Sequence, residues 1–282
     1  MRPLQWRSFF YLLRMNRSPM VAMITGSAAF VAGAGLSHAL WMTLAGWCLA
    51  VGGFSLDFYT DRELDRKDPR VELRHNPLAD GTLPLPAGLA FSLTFVAASF
   101  ALVVWVAPAA LLFWGIILAV IGGLAFHWFE TPLARALTLG LLQGLYVLMG
   151  GMAGTLTPGL WLLAGVFFFA MFGGRGMIDI RDFSQDEAAG VQTLPQRYGL
   201  KATARFTAVC LLIAYALSLA AYATGEFSPI YLYLDILFVV TGLACAVLFV
   251  SRPTPRLAHI LTIVFMVGEG TLISLAMILG SL

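Results

Sequence analysis

Nine apolar stretches of membrane-spanning length follow one another along this chain, and no other feature narrows its possible folds so far. Uncharged windows run over 19–37, 39–56, 87–107, 109–129, 136–155, 158–174 and 206–225; two more, 229–250 and 257–280, are interrupted only by Asp235, His259 and Glu269. About 20 predominantly apolar residues carry an α-helix across a bilayer. With 60% hydrophobic and 11% charged residues and a mean hydropathy of +0.85, the chain is far from the roughly 25% charge of soluble domains. The expected fold is all-α: a polytopic membrane protein with nine transmembrane helices, forming a single domain over residues 1–282.

Loops on the cytoplasmic side of a membrane carry the excess of Lys and Arg. With nine helices and an inner N-terminus, all 17 basic residues fall on that side, from Arg2, Arg7, Arg14 and Arg17 before the first helix to Arg252 and Arg256 before the ninth. The chain is therefore expected in a membrane of the bacterial inner type, with its C-terminus outside. The net charge of +2 reflects this sidedness and does not form a nucleic-acid-binding surface. No cleavable leader is read in the polar start Met-Arg-Pro-Leu-Gln-Trp-Arg. Cys48, Cys210 and Cys245 lie in separate spans, without the spacing of a disulfide or metal clip, and read as packing residues.

The few acids are grouped. Asp57, Asp61 and Asp65 follow the second span; Asp179, Asp182 and Asp186 follow the sixth. On a helix of 3.6 residues per turn, the first set at i, i+4, i+8 drifts by only about 80°, and the second at i, i+3, i+7 stays within about 60°. Three carboxylates on one helix face repel each other unless a cation or Arg side chains compensate them. Hard divalent cations such as Mg²⁺ prefer carboxylate oxygen, and commonly bind through one or two carboxylates plus substrate phosphates. Acids at a membrane boundary can also be a solvated face, but two such faces on one side of the membrane argue against that. Each opens a long inner connection, 57–86 or 179–205, rich in basic residues and turn formers. Both connections are expected to form partly helical caps over an inward-facing cavity.

These residues resemble the UbiA superfamily of intramembrane prenyltransferases. That group has nine transmembrane helices and two Asp-rich motifs, N-D-x-x-D-x-x-x-D and D-x-x-D-x-x-x-D or a close variant, on the inner ends of the second and sixth helices. Asp179, Asp182 and Asp186 match the second motif, and the following Gly190-Val-Gln-Thr193-Leu194 through Gly199 looks like its G-x-x-T-L-x-x-x-x-G stretch. Asn76-Pro77-Leu78-Ala79-Asp80-Gly81 and Leu13-Arg14-Met-Asn16-Arg17-Ser-Pro19 also match, so the resemblance covers nearly the whole chain. It implies that Mg²⁺ held by Asp57, Asp61, Asp65, Asp179, Asp182 and Asp186 binds the diphosphate of an isoprenoid donor. Asp61, Asp65, Asp179 and Asp182 would be catalytic, promoting ionisation of the allylic C–O bond before a lipophilic, aromatic acceptor of the quinone or tocopherol type captures the cation. Arg62, Arg66, Lys67, Arg74, Arg181 and Arg197 would contact the diphosphate, since a guanidinium fork suits phosphate oxygens; each can equally serve to enforce topology.

Four positions, in three places, depart from the family pattern. Asp57 stands at the motif's Asn and Phe58 at its first Asp; Asn76 replaces the Arg of R-P-L, and Gln192 replaces the Lys before T-L. Altered metal ligation, a changed donor or a changed reaction would each follow. Within the fold, a terpene cyclase acting on the same diphosphate is the alternative; outside it, a cation-coupled transporter, although carriers place such sites near the midplane. Other candidates are Glu269, midway along the ninth span; His127, Glu130 and Arg135 around the connection between the fourth and fifth; and Gln143 and Tyr146, which could meet an acceptor. Asp235 reads as an interfacial residue near the outer boundary.

Overall fold

The computed structural model describes residues 7–67, 76–129, 131–188 and 190–282. Every regular element among them is helical. A short α1 (Arg7–Leu12) leads into α2 (Ser18–Val31) and α3 (Gly35–Thr60), followed by α4 (Arg62–Lys67) and α5 (Leu85–Val106). A 3₁₀ turn at Pro108–Ala110 opens α6 (Leu111–Ala125), and α7 (Pro132–Gly151) and α8 (Pro158–Arg181) come next. Two short helices, α9 (Phe183–Ala188) and α10 (Leu194–Tyr198), precede α11 (Leu200–Ala223), α12 (Pro229–Ser251), α13 (Pro255–Ile263) and α14 (Gly270–Gly280).

Seven helices are long and apolar enough to cross a bilayer: Gly35–Thr60, Leu85–Val106, Pro108–Ala125, Pro132–Gly151, Pro158–Arg181, Leu200–Ala223 and Pro229–Ser251. The first and ninth expected spans are the ones that differ. Window 19–37 stops at Val31, because Gly33 (φ 80°) and Gly35 (φ 77°) turn the chain in a left-handed conformation that glycine adopts without strain. Window 257–280 is split by a π-helical turn at Val264–Glu269, a wide turn that often marks functional sites.

Close contacts fix how the helices run. Leu12 O accepts from Ser55 Oγ, Ser18 Oγ from Trp47 Nε1, and Gly26 packs on Thr43, so α2 and α3 are antiparallel. Thr155 N–H bonds to Ala32 O at 2.9 Å and Gly150 lies on Thr25, so α7 runs parallel to α2. Gly140 packs on Phe168 and Phe172, and Gly144 on Ala164, which makes α8 antiparallel to α7. The C-terminal ends of α3 and α8, where the two acid sets stand, are therefore at the same end of the bundle. Small residues let these backbones approach, and hydroxyls bind across helices, as with Ser92 to Gly52 O at 2.7 Å and Thr207 to Gly173 O at 2.8 Å; such bonds are worth about 0.6 kcal/mol each in membranes.

Asp235, expected to face the membrane boundary, faces the protein interior. It is 0% exposed, between α11 and α12, where it accepts from Ser218 Oγ, which is in turn 3.0 Å from the Tyr231 hydroxyl. A hydropathy window gives depth along a helix but not which way a residue faces, and this side chain faces its neighbour.

Candidate metal and diphosphate site

The first acid face is built by a helix that does not stop at its charge. Asp61 N–H bonds to Asp57 O and Asp65 N–H to Asp61 O, both at 2.8 Å, so the i, i+4 ladder runs from α3 into α4. The three acids keep the common face expected of them. Asp61 Oδ1 is 3.1 Å from His127 Nε2, and Asp65 Oδ2 accepts from Asn76 Nδ2 at 2.7 Å. Burial, and then the charges of Asp57 and Asp65, push the Asp61 carboxyl up to about 7 from its ordinary 3.8, against the opposing pull of Arg135 and Arg14. Carboxylates crowded in this way favour a proton or a cation.

Two of the departures from the family pattern have structural roles. Phe58 is buried with Leu12, Leu78 and Leu83 in a small apolar cluster, and the Arg14 guanidinium lies over its ring at 3.9 Å, which holds a cation beside Asp57 and Asp61. Asn76 is also buried. Its amide donates to Phe58 O and Asp65 Oδ2, while its oxygen accepts from Leu78 N–H, so it ties the loop after α4 to the acid face. Gln192, the third, is exposed.

At the second face each of the first two acids has its own arginine. Arg175 Nε stands 2.6 Å from Asp179 Oδ1, one turn back along α8, and Asp179 Oδ2 accepts from Leu194 N–H at the start of α10. Arg181 grips Asp182 with two parallel bonds, Nε to Oδ1 at 2.9 Å and a terminal nitrogen to Oδ2 at 2.7 Å. Asp179 and Asp182 are both buried. Asp186 N–H bonds to Asp182 O, which carries the stripe into α9.

The basic residues named from sequence are mostly engaged locally. Arg62 donates to Tyr59 O. Arg66 donates to Ala79 O and pairs with Glu63. Arg181 holds Asp182, and Arg197 is exposed beside the Tyr198 ring. Arg74 and Glu130 lie outside the described residues, as do the side chains of Lys67 and Glu269. Arg175, which sequence reasoning counted only for topology, pairs with Asp179; its i, i+4 spacing was the available signal. The position of His127 gave no such signal, because its partner is on a distant segment.

An apolar cavity begins beside the second face. Ile178, the residue before Asp179, lines it together with Met171, Phe167 and Val166 on α8, a run of about 18 Å along the helix. Met20 and Phe238 close other sides of this narrow cavity, whose volume is about 50 Å³ and which is partly open to the outside. Among the described residues that line it, Gln143 and Thr262 carry the only polar side chains. The Gln143 Oε1 atom is buried without a hydrogen-bond partner, whereas Tyr146 is packed in the core.

Among the described residues, no three His, Cys, Asp or Glu side chains stand close enough together to hold a metal ion as placed. The donors nonetheless suit a hard divalent cation by type and charge. Asp57, Asp61 and Asp65 share a face, and the upward push on Asp61 is the strain such a cation relieves.

A profile of the UbiA prenyltransferase family matches residues 18–268 of this chain. A protoheme IX farnesyltransferase from Roseiflexus sp. (strain RS-1) is 26% identical over 239 residues, which cover 78% of this chain and 41% of that protein; the chain thus spans less than half that relative's length. A solved digeranylgeranylglyceryl phosphate synthase superposes with a TM-score of 0.78 at 21% identity, covering 98% of both chains. A UbiA homologue from Archaeoglobus fulgidus, solved with GPP and Mg²⁺ bound, gives a TM-score of 0.74 at 18% identity, over 95% of this chain and 99% of that one. At these identities the two solved structures speak for the fold.

Proposed function

The chain belongs to the UbiA prenyltransferase family, and from that premise we propose that it transfers a prenyl group from an isoprenoid diphosphate to a lipophilic acceptor. One observation carries the reading: two acid faces stand at the same end of the bundle, and an apolar cavity starts at Ile178, next to Asp179. An isoprenoid diphosphate has that polarity, a charged head on a long hydrocarbon tail. Asp57, Asp61, Asp65, Asp179, Asp182 and Asp186 would hold Mg²⁺, as the Archaeoglobus homologue is solved with it. Bound there, Mg²⁺ supplies Lewis acidity that neutralises the leaving diphosphate.

The chain's own residues do the rest. Arg175 and Arg181, now paired with Asp179 and Asp182, are within one helical turn of the diphosphate end and can exchange a carboxylate for a phosphate oxygen. Met171, Phe167 and Val166 take the tail and keep water from the allylic carbon once its bond to oxygen breaks. The acceptor then forms the new bond and releases a proton. We take Ser18–Val31 and Pro255–Gly280 as the two further membrane helices, giving nine, with the acid faces cytoplasmic, the C-terminus outside and the segments after α3 and α8 capping the cavity. An aromatic acceptor of the quinone type is the first to test.

Purified protein, incubated with radiolabelled prenyl diphosphates and candidate acceptors, is expected to give prenylated product that EDTA abolishes and excess Mg²⁺ restores. Product formation insensitive to EDTA would overturn the metal-dependent reading. Diphosphate release without acceptor, giving a cyclic hydrocarbon or alcohol, would replace transfer by cyclisation.

A further inference from the structure

Two non-glycine residues among those described have left-handed backbones, Arg14 (φ 48°) and His127 (φ 57°), and both direct their side chains at the first acid face. That backbone is unfavourable for an L-residue and persists only where its surroundings require it. His127 closes the end of α6: Phe126 N–H bonds to Gly122 O at 2.9 Å and Trp128 N–H to Gly123 O at 2.8 Å. In this kind of closure the left-handed position next to the helix end is usually glycine. Here it carries an imidazole, and the ring that glycine lacks reaches Asp61, with Nε2 3.1 Å from Oδ1. Asp61 Oδ1 is sealed from solvent and accepts no aligned hydrogen bond among the described residues, so the imidazole, 3.1 Å away, is the polar group it stands against.

We infer that His127 is a positioning residue for the first half of the metal site, fixing the rotation of the Asp61 carboxylate so that its other oxygen is available to a divalent cation. This rests on the Mg²⁺ reading above. Asp61 lies between Asp57 and Asp65 on one face, and their charges press on it. Without a group against Oδ1 the carboxylate is free to rotate, and the donor set loses its fixed geometry. Groups that orient metal-binding carboxylates in this way are typically worth 10–100-fold in metal affinity.

Glycine and glutamine at position 127 separate this role from a merely structural one. Glycine suits the left-handed backbone, so His127→Gly is expected to unfold at or above the wild-type temperature without metal. It is nevertheless expected to bind Mn²⁺, titrated as a paramagnetic probe and followed by its free-ion signal, about 10-fold or more weakly. His127→Gln offers an amide N–H at similar reach and should keep most of the affinity. Wild-type Mn²⁺ binding by His127→Gly, or equal weakening in the Gly and Gln variants, would overturn the inference. Asp61→Ala serves as the control: if it abolishes Mn²⁺ binding while His127→Gly leaves it intact, only the role of His127 fails, and if neither variant affects binding, the metal reading fails with it.

Discussion

Asp61→Asn is expected to lower prenyl transfer by about 10³-fold, roughly 4 kcal/mol in the transition state, and at the same time to make the metal-free protein more stable at neutral pH and above. The two effects have one cause. Asp61 lies among like charges and is half-buried, so its carboxyl is pushed up to about 7 from 3.8. Since its folded pKa lies above the unfolded value, its contribution to stability is fully present below about 3.8 and is lost as pH rises through about 7. Metal-free wild type should therefore unfold at progressively lower temperature between pH 4 and pH 8, and Asp61→Asn should flatten that slope. Mg²⁺ should raise the wild-type unfolding temperature most at the alkaline end, where the carboxylate is free of its proton. Thermal unfolding in detergent across this pH range, with and without Mg²⁺, measures both. A variant that loses activity and stability together would mean that Asp61 is a structural acid.

Asp179→Ala should behave in the opposite way. The Asp179 side chain is 2% exposed and binds both the Arg175 guanidinium at 2.6 Å and the Leu194 N–H at 3.2 Å. Its removal leaves a partly buried cation and a buried donor without their acceptor, a loss of about 3 kcal/mol. It also cuts the tie between the end of α8 and the start of α10. The unfolding temperature should fall even before metal is added. Asp179→Asn keeps an acceptor oxygen for Leu194 N–H and should recover part of the loss but little of the activity. Unfolding temperatures of the two variants beside that of Asp61→Asn test whether the two faces, alike in sequence, differ in this way.

Apolar length alone gave the helical class, because a bilayer leaves a chain few other ways to satisfy its backbone. The windows were less reliable at their ends. Window 39–56 stopped where charge begins, yet α3 continues to Thr60, since its backbone ladder passes Asp57 and carries the acid stripe into α4. The π turn at Val264–Glu269 was marked in the sequence only by Gly268, Glu269 and Gly270, with no proline to announce it. The acid faces themselves were legible, because i, i+4 spacing is a property of one helix. Their partners mostly were not. Asn76, Arg14 and His127 reach the first face from other segments, and a one-dimensional pattern says nothing of such meetings. Arg175 and Arg181 are the exceptions, both on α8 within a turn of their acids. Among the departures from the family pattern, Phe58 and Asn76 are now accounted for by the Arg14 stack and the Asp65 tether; nothing in the structure explains Gln192.

Both acid faces are expected to bind one diphosphate through Mg²⁺, which calorimetric titration of a non-reactive isoprenoid thiolodiphosphate into the purified protein can measure. Binding should require Mg²⁺ and should be lost in Asp61→Ala and in Asp182→Ala alike, one from each face. Undiminished binding without Mg²⁺, or in either variant, would contradict the account.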